Sequence, residues 1–166
     1  MKNRMITKYF SICAAVIFSS IICIGTVIAI TVINVYKNDI RMSLSETASV
    51  ISGNIERCIN ENDLKTEEGI AALDKETEYL DIIPDYDMSV VEAATGKCLV
   101  STSTEQLYKM LDNSVIQNTP SEGSFSSGST LEDFFGTRVF SFSLPVCTEK
   151  GEFFIIIYTA TDDYNN

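Results

Sequence analysis

The fold turns on RVFSFSLPVCTEKGEFFIIIYTA, residues 138–160. Its first half alternates: Phe140, Phe142, Leu144 and Val146 share one side, Ser141 and Ser143 the other, the period-two pattern of a half-buried strand. Thr148-Glu149-Lys150-Gly151 has the composition of a turn. EFFIIIYTA, which follows, is a continuous run of β-branched and aromatic residues, suited to a central strand covered on both sides. A central strand needs neighbours, so more strands must lie upstream.

MSVVEA (88–93) and KCLVS (97–101), joined by Ala94-Thr95-Gly96, supply a second hairpin. Between the hairpins, Glu105 to Leu111 predicts a short helix, and Ser114 to Gln117 a further turn. SEGSFSSGST, from Ser121 to Thr130, is a loop or a short edge strand around Phe125. The spacing of Gly123 and Gly128 imitates a phosphate loop, but Ser129 stands where a lysine is required and no buried strand precedes it. No other cofactor motif is present, so none is expected.

Upstream of the first hairpin, Thr66 is placed to cap a helix whose apolar residues are Ile70, Ala71, Leu73, Tyr79 and Leu80, ended by Pro84 and Asp85. From Asn38 to Ile59 the residues Ile40, Leu44, Thr47, Ala48, Ile51, Ile55, Cys58 and Ile59 recur at spacings of three and four. That is one apolar stripe on a helix, with Asp39, Arg41, Glu46 and Glu56 off it or beside it. The order helix, helix, hairpin, helix, strands implies an α+β domain: an antiparallel sheet with the long N-terminal helix on one face.

The stripe runs on from YFSICAAVIFSSIICIGTVIAITVINVY, residues 9–36, which carries no charge and exceeds the roughly 20 apolar residues that span a bilayer in a helix. A cleaved signal peptide is the competing reading; its apolar core would be about 7 to 15 residues long and would end in a small-residue cleavage site. The positive-inside rule keeps Lys2, Arg4 and Lys8 in the cytoplasm and places everything after Lys37 outside. Ser11, Ala15, Ser19 and Cys23, continued by Gly25 and Ala29, form a strip of small residues that favours a parallel homodimer. The expected organisation is a cytoplasmic tail (1–8), a membrane helix (9–36), an extended signalling helix (37–62) and an extracytoplasmic domain (63–166).

Of 12 basic and 23 acidic residues, three basic ones precede Lys37, which leaves nine against 23, or −14, on the soluble part. Such a surface repels nucleic acid and anionic lipid headgroups. Cys13 and Cys23 lie in the apolar segment, and Cys58, Cys98 and Cys147 outside it allow one disulfide at most. Those three are either plain core and strand residues, or Cys98 and Cys147 bridge neighbouring strands.

The 166 residues contain no histidine, which removes Ser-His-Asp and Cys-His triads and the commonest zinc ligand. Glu67-Glu68, Glu132-Asp133 and Asp162-Asp163 are acidic pairs that read as solvated surface or as a weak divalent-cation site. Neither catalysis nor a metal centre is expected.

MSVVEAATGKCLVSTS resembles the first hairpin of the extracytoplasmic PAS-like (single Cache) sensor domains of bacterial sensor histidine kinases, and GSTLEDFFGTRVFSFSLPVCTEKGEFFIIIYTATD resembles their closing hairpin. The resemblance covers the layout of the whole chain: basic tail, span, long helix, sheet. It implies a signal-input module that binds a small ligand outside the cytoplasm, dimerises through its membrane and long helices, and feeds a kinase. Such proteins continue into a second span and a kinase core, whereas this sequence stops at Asn166, so the resemblance implies an input module truncated before the second span. The input module of a chemoreceptor or cyclase, or a tethered surface domain that binds another protein, would share the layout.

The resemblance also implies a basic residue near the closing strand as a clamp for a carboxylate ligand. Arg138 fits, being on the parity of Phe140 and Phe142 at the edge of an apolar face. The plainer reading is a strand-end arginine that reaches to water or pairs with Asp133. Ser101, Ser103 and Ser141 are candidate hydrogen-bonding partners of the same ligand, with Tyr108 as a lid.

Overall fold

A computed structural model describes residues 2–78, 86–103, 106–128 and 131–160, without the side chains of 2–8, 108, 128, 132 and 133. The chain divides into two compact units, Met1–Asp39 and Ile40–Asn166. Helix α1, Lys2–Glu61, is 60 residues long and passes through that boundary. Its segment from Tyr9 onward makes it the one helix, among the described residues, long and apolar enough to cross a membrane, and the large hydrophobics from Tyr9 to Val35 are exposed.

In the second unit α1 changes character. Ile40, Leu44, Ala48, Ile55, Cys58 and Ile59 are buried, while Arg41, Glu46 and Glu56 stay exposed, as does Asp39 at the end of the first unit. The three-four spacing of the stripe gives this one-sided burial directly. After a turn, Thr66 caps α2 (Glu67–Thr77), its hydroxyl accepting from the Gly69 N–H at 3.1 Å. Gly69, Leu73 and Thr77 form the buried side of α2, whereas Ala71 is exposed and Ile70 half-buried. Tyr79, Leu80, Pro84 and Asp85 lie outside the described residues.

Five antiparallel strands follow: β1 (Asp87–Glu92), β2 (Cys98–Ser101), β3 (Ser124–Gly128), β4 (Val139–Thr148) and β5 (Gly151–Ala160). Their order is β2-β1-β5-β4-β3, so β5, the most apolar strand, lies in the middle with Phe153 to Thr159 buried, as its composition demands. Within the segment from Ser121 to Thr130, Ser124–Gly128 forms the edge strand β3, and Ser129 and Thr130 lie outside the described residues. Pro145 stands beyond the last β3–β4 pair, Ser124 with Ser143, where one side of β4 has no ladder for proline to interrupt. Gly96 closes the first hairpin at φ +70, with its carbonyl accepting from the Leu111 N–H at 2.7 Å; a Cβ there would meet the Leu111 carbonyl at 2.5 Å, so only glycine fits.

The helix expected from Glu105 to Leu111 is shorter, a single 3-10 turn at Gln106–Tyr108. The Ser114–Gln117 turn is the helix α3, Asn113–Asn118, with the Asp112 carboxylate accepting from the Ser114 N–H at 2.7 Å. Helix α4, Glu132–Phe135, completes the set.

The register sorts side chains between two faces. Met88, Val90, Phe142, Val146, Phe153, Ile155 and Ile157 share one. The other carries Val91, Cys98, Phe154, Ile156 and Tyr158, which pack with Leu111, Leu131, Phe134, Phe135 and Val139 under α3 and α4. The α1 stripe takes no part in that second cluster and covers the first face, held at both ends. Tyr86 donates to the Ser43 hydroxyl at 2.9 Å, and the Lys150 ammonium donates to the carbonyls of Ile59 and Asn62 at 2.7 and 2.5 Å.

Two sequence expectations change. Strand β4 is not half-buried with its serines in water: Ser141 and Ser143 are buried while Phe140 and Leu144 are only half-buried, because α3 and α4 cover the serine face. A Cys98–Cys147 bridge is excluded, since β1 and β5 separate their strands. Three inter-strand spacings put them roughly 14 Å apart, beyond disulfide reach. Both thiols are free, Cys98 buried and Cys147 exposed.

Candidate ligand-binding site

The face under α3 and α4 carries Ser89, Ser101, Ser124, Ser126, Ser141 and Ser143 beside its apolar residues, which is unusual for the inside of a sheet. The pairings align two rows across the strands. Ser126, Ser141, Tyr158 and Asp87 form one row, and Ser124, Ser143, Ile156, Ser89 and Ser101 the next. Directly opposed side chains in antiparallel strands lie about 5 Å apart, so each row is a run of neighbours.

At the β1–β2 end this network is largely satisfied. The Ser89 and Ser101 hydroxyls meet at 2.9 Å, Ser101 also donates to the Met88 carbonyl at 3.2 Å, and the Ser103 N–H donates to Ser101 Oγ at 3.3 Å. Thr102 donates to the Asp87 carboxylate at 2.8 Å. Towards the centre the satisfaction stops. Ser141 Oγ and Tyr158 OH are buried, in residues 1% and 5% exposed, and neither has a hydrogen-bond partner among the described residues; Gln106 Oε1, in the 3-10 turn packed against β2, is likewise buried, at 4% exposed, and unpaired. A buried polar atom without a partner costs about 1–3 kcal/mol and marks a place where a water or a ligand belongs.

Tyr158 is the centre of the site. Its ring packs on Phe135, centroids 4.0 Å apart, and Phe135 in turn meets Phe134 edge to face at 4.9 Å. Burial, helped by the neighbouring Asp87 charge, pushes its pKa from 10.0 up to about 12, although Ser101, Ser89 and Ser103 nearby favour the ionised form. Those serines lie near enough to act on it electrostatically without meeting it in hydrogen-bond geometry. The phenol therefore stays protonated at neutral pH and offers an O–H donor. Burial likewise raises the Cys98 thiol to about 11, so it is a small hydrophobe here rather than a nucleophile.

Beside this centre a cavity of about 160 Å³ opens, with Ser124, Ser126 and Ser143 as its floor and Ser114, Val115 and Asn118 of α3 as a wall. No ionisable side chain lines it among the described residues. A larger hollow of about 510 Å³ lies between α2 and β2, lined by Lys65, Glu67, Asp74 and Lys97 with apolar residues between them. Neither hollow is lined by the unpaired buried atoms, but the smaller one adjoins Ser141 through its cross-strand partner Ser126.

Of the residues singled out from sequence, Ser101, Ser103 and Ser141 fall on or beside the polar face. Arg138 is exposed, immediately before β4, on the parity of Phe140 and Phe142 and hence opposite to Ser141. The side chains of Tyr108 and Asp133 lie outside the described residues. Sequence reasoning missed Tyr158, Ser89 and Gln106; the available signal was serine at alternate positions in several strands and a lone tyrosine closing an apolar run. No group of three or more potential metal-ligating residues occurs among the described residues. No protein-family model matches this chain, and no curated protein matches it significantly.

Proposed function

We propose that this chain is the signal-input module of a membrane receptor, with the Ile40–Asn166 unit outside the cytoplasm, and that a small molecule bound on its serine-rich face is the signal. Its layout resembles that of the sensor regions of histidine kinases, which supports the reading. The observation that carries the reading is the set of buried, unpaired polar atoms on Ser141, Tyr158 and Gln106 in a domain whose other sheet face is covered by the end of α1. Replacing such atoms by apolar groups would stabilise a domain whose face stayed empty, so their retention favours a face that is occupied. Ligand binding that tightens α3 and α4 over one face shifts β4 and β5, and their connecting turn holds the last carbonyls of α1 through Lys150. The helix then carries the displacement toward the membrane segment, with a homodimer along the small-residue strip as the receiving form.

Orientation is the first test. Cys147 is exposed near the β4–β5 turn, so a membrane-impermeant maleimide added to intact cells should label the wild-type chain and leave Cys147→Ser unlabelled. Labelling of Cys147 that appears only after lysis would place the domain in the cytoplasm and overturn the receptor reading.

A further inference from the structure

We infer that the ligand of this face is a small uncharged molecule bearing several hydroxyl or amide groups, a proposal that rests on the input-module reading above and narrows it. Three observations define the class. The first is charge: the cavity walls contribute hydroxyls from Ser114, Ser124, Ser126 and Ser143 and the Asn118 amide, with no ionisable group among the described lining residues. A carboxylate or ammonium group held there would give up part of its hydration and find no opposite charge among the described lining residues. The acidic surface of the domain adds to the penalty for an anion.

The second is hydrogen-bond polarity. Beyond the cavity lining, the cross-strand row runs from Ser126 to Ser141 and from Ser141 to Tyr158. The lining hydroxyls of Ser114, Ser124, Ser126 and Ser143 can each give or take a proton, and the Asn118 amide gives at its nitrogen and accepts at its oxygen. An apolar ligand would leave these lining groups unpaired, whereas a molecule with both O–H or N–H donors and oxygen acceptors can satisfy them. Size is the third. A cavity of about 160 Å³ is close to one of about 150 Å³ that holds benzene, so the ligand has roughly six to eight non-hydrogen atoms. A short polyol or hydroxy-amide meets all three conditions, and the Arg138 carboxylate clamp meets none of them.

The full chain in detergent micelles provides the test, with erythritol and glycolamide as uncharged probes and acetate, succinate and glycine as charged ones, read by thermal unfolding. An uncharged probe at about ten times its Kd should raise Tm by roughly 4–6 °C. The shift should vanish in S126A/S143A, whose own Tm in the absence of probe reports that it is folded. If the charged probes stabilise the chain and Arg138→Ala removes their effect, the ligand class is overturned while the input-module reading stands. If no probe moves Tm, the face is hydrated by water and the proposal falls. The Cys147 labelling experiment fails independently of either result, so loss of the receptor reading is distinguishable from loss of the ligand class.

Discussion

Removing the Tyr158 hydroxyl should stabilise the protein. The residue is 5% exposed, its OH has no hydrogen-bond partner among the described residues, and its ring already packs on Phe135 at 4.0 Å. Tyr158→Phe keeps that ring contact and deletes only the unpaired atom. Leaving a hydroxyl buried and unpaired costs about 1–3 kcal/mol, of which water entering the site recovers a part, so the substitution should return about 1–2 kcal/mol. The cooperative unit is the Ile40–Asn166 domain, for which 1 kcal/mol corresponds to roughly 3–5 °C. Thermal unfolding of the unliganded chain in detergent, followed by near-ultraviolet circular dichroism, should therefore place Tyr158→Phe roughly 3–10 °C above wild type. The same variant should respond less to any ligand that stabilises the parent. A fall in Tm of similar size would refute the reasoning: it would mean that the hydroxyl is bonded in the folded chain and that the polar face is structural.

The other predictions concern pH and the α1 junction. Cys98 and Tyr158 are acids whose folded pKa values, about 11 and about 12, exceed the ordinary 9.0 and 10.0, so the unfolded chain loses protons first as pH rises. Their contribution is complete below pH 9 and is lost between about pH 9 and 12, amounting to about 1–2 kcal/mol per group after allowing for the solvent that still reaches them. Urea midpoints measured from about pH 8 upward should fall in wild type and stay flatter in a Cys98→Ala/Tyr158→Phe double variant; a flat wild-type profile contradicts the burial argument. Lys150→Met removes both ammonium bonds to the end of α1, and should cost about 1 kcal/mol and speed hydrogen exchange at residues 58–62, with Lys150→Arg closer to wild type. Unchanged exchange there would show that the turn does not hold the helix.

The parts legible in the sequence are those set by local periodicity. The three-four stripe on α1 survives as one-sided burial, the Thr66 cap works as its side chain suggests, and EFFIIIYTA is the central strand because only burial on both faces suits so continuous an apolar run. The site was legible only in fragments, for a reason that lies in strand geometry. Alternation tells which residues share a face, but not whether water or a helix covers it. Serine on the second face of β4 reads as solvated by default, and the elements that bury it, α3 and α4, are six and four residues long, too short for a periodic signal. Nor does spacing along one strand reveal cross-strand neighbours. Ser141 becomes part of a site because register sets it between Ser126 and Tyr158, and Tyr158 because the same register sets it beside Asp87. Arg138 drew attention through its charge, which is visible in one dimension; the unpaired hydroxyls become conspicuous only once burial is known. That asymmetry has a physical origin. A charge on the surface is cheap and common, whereas an unpaired hydroxyl inside a sheet domain lowers stability, and it persists where occupation of the site repays the loss.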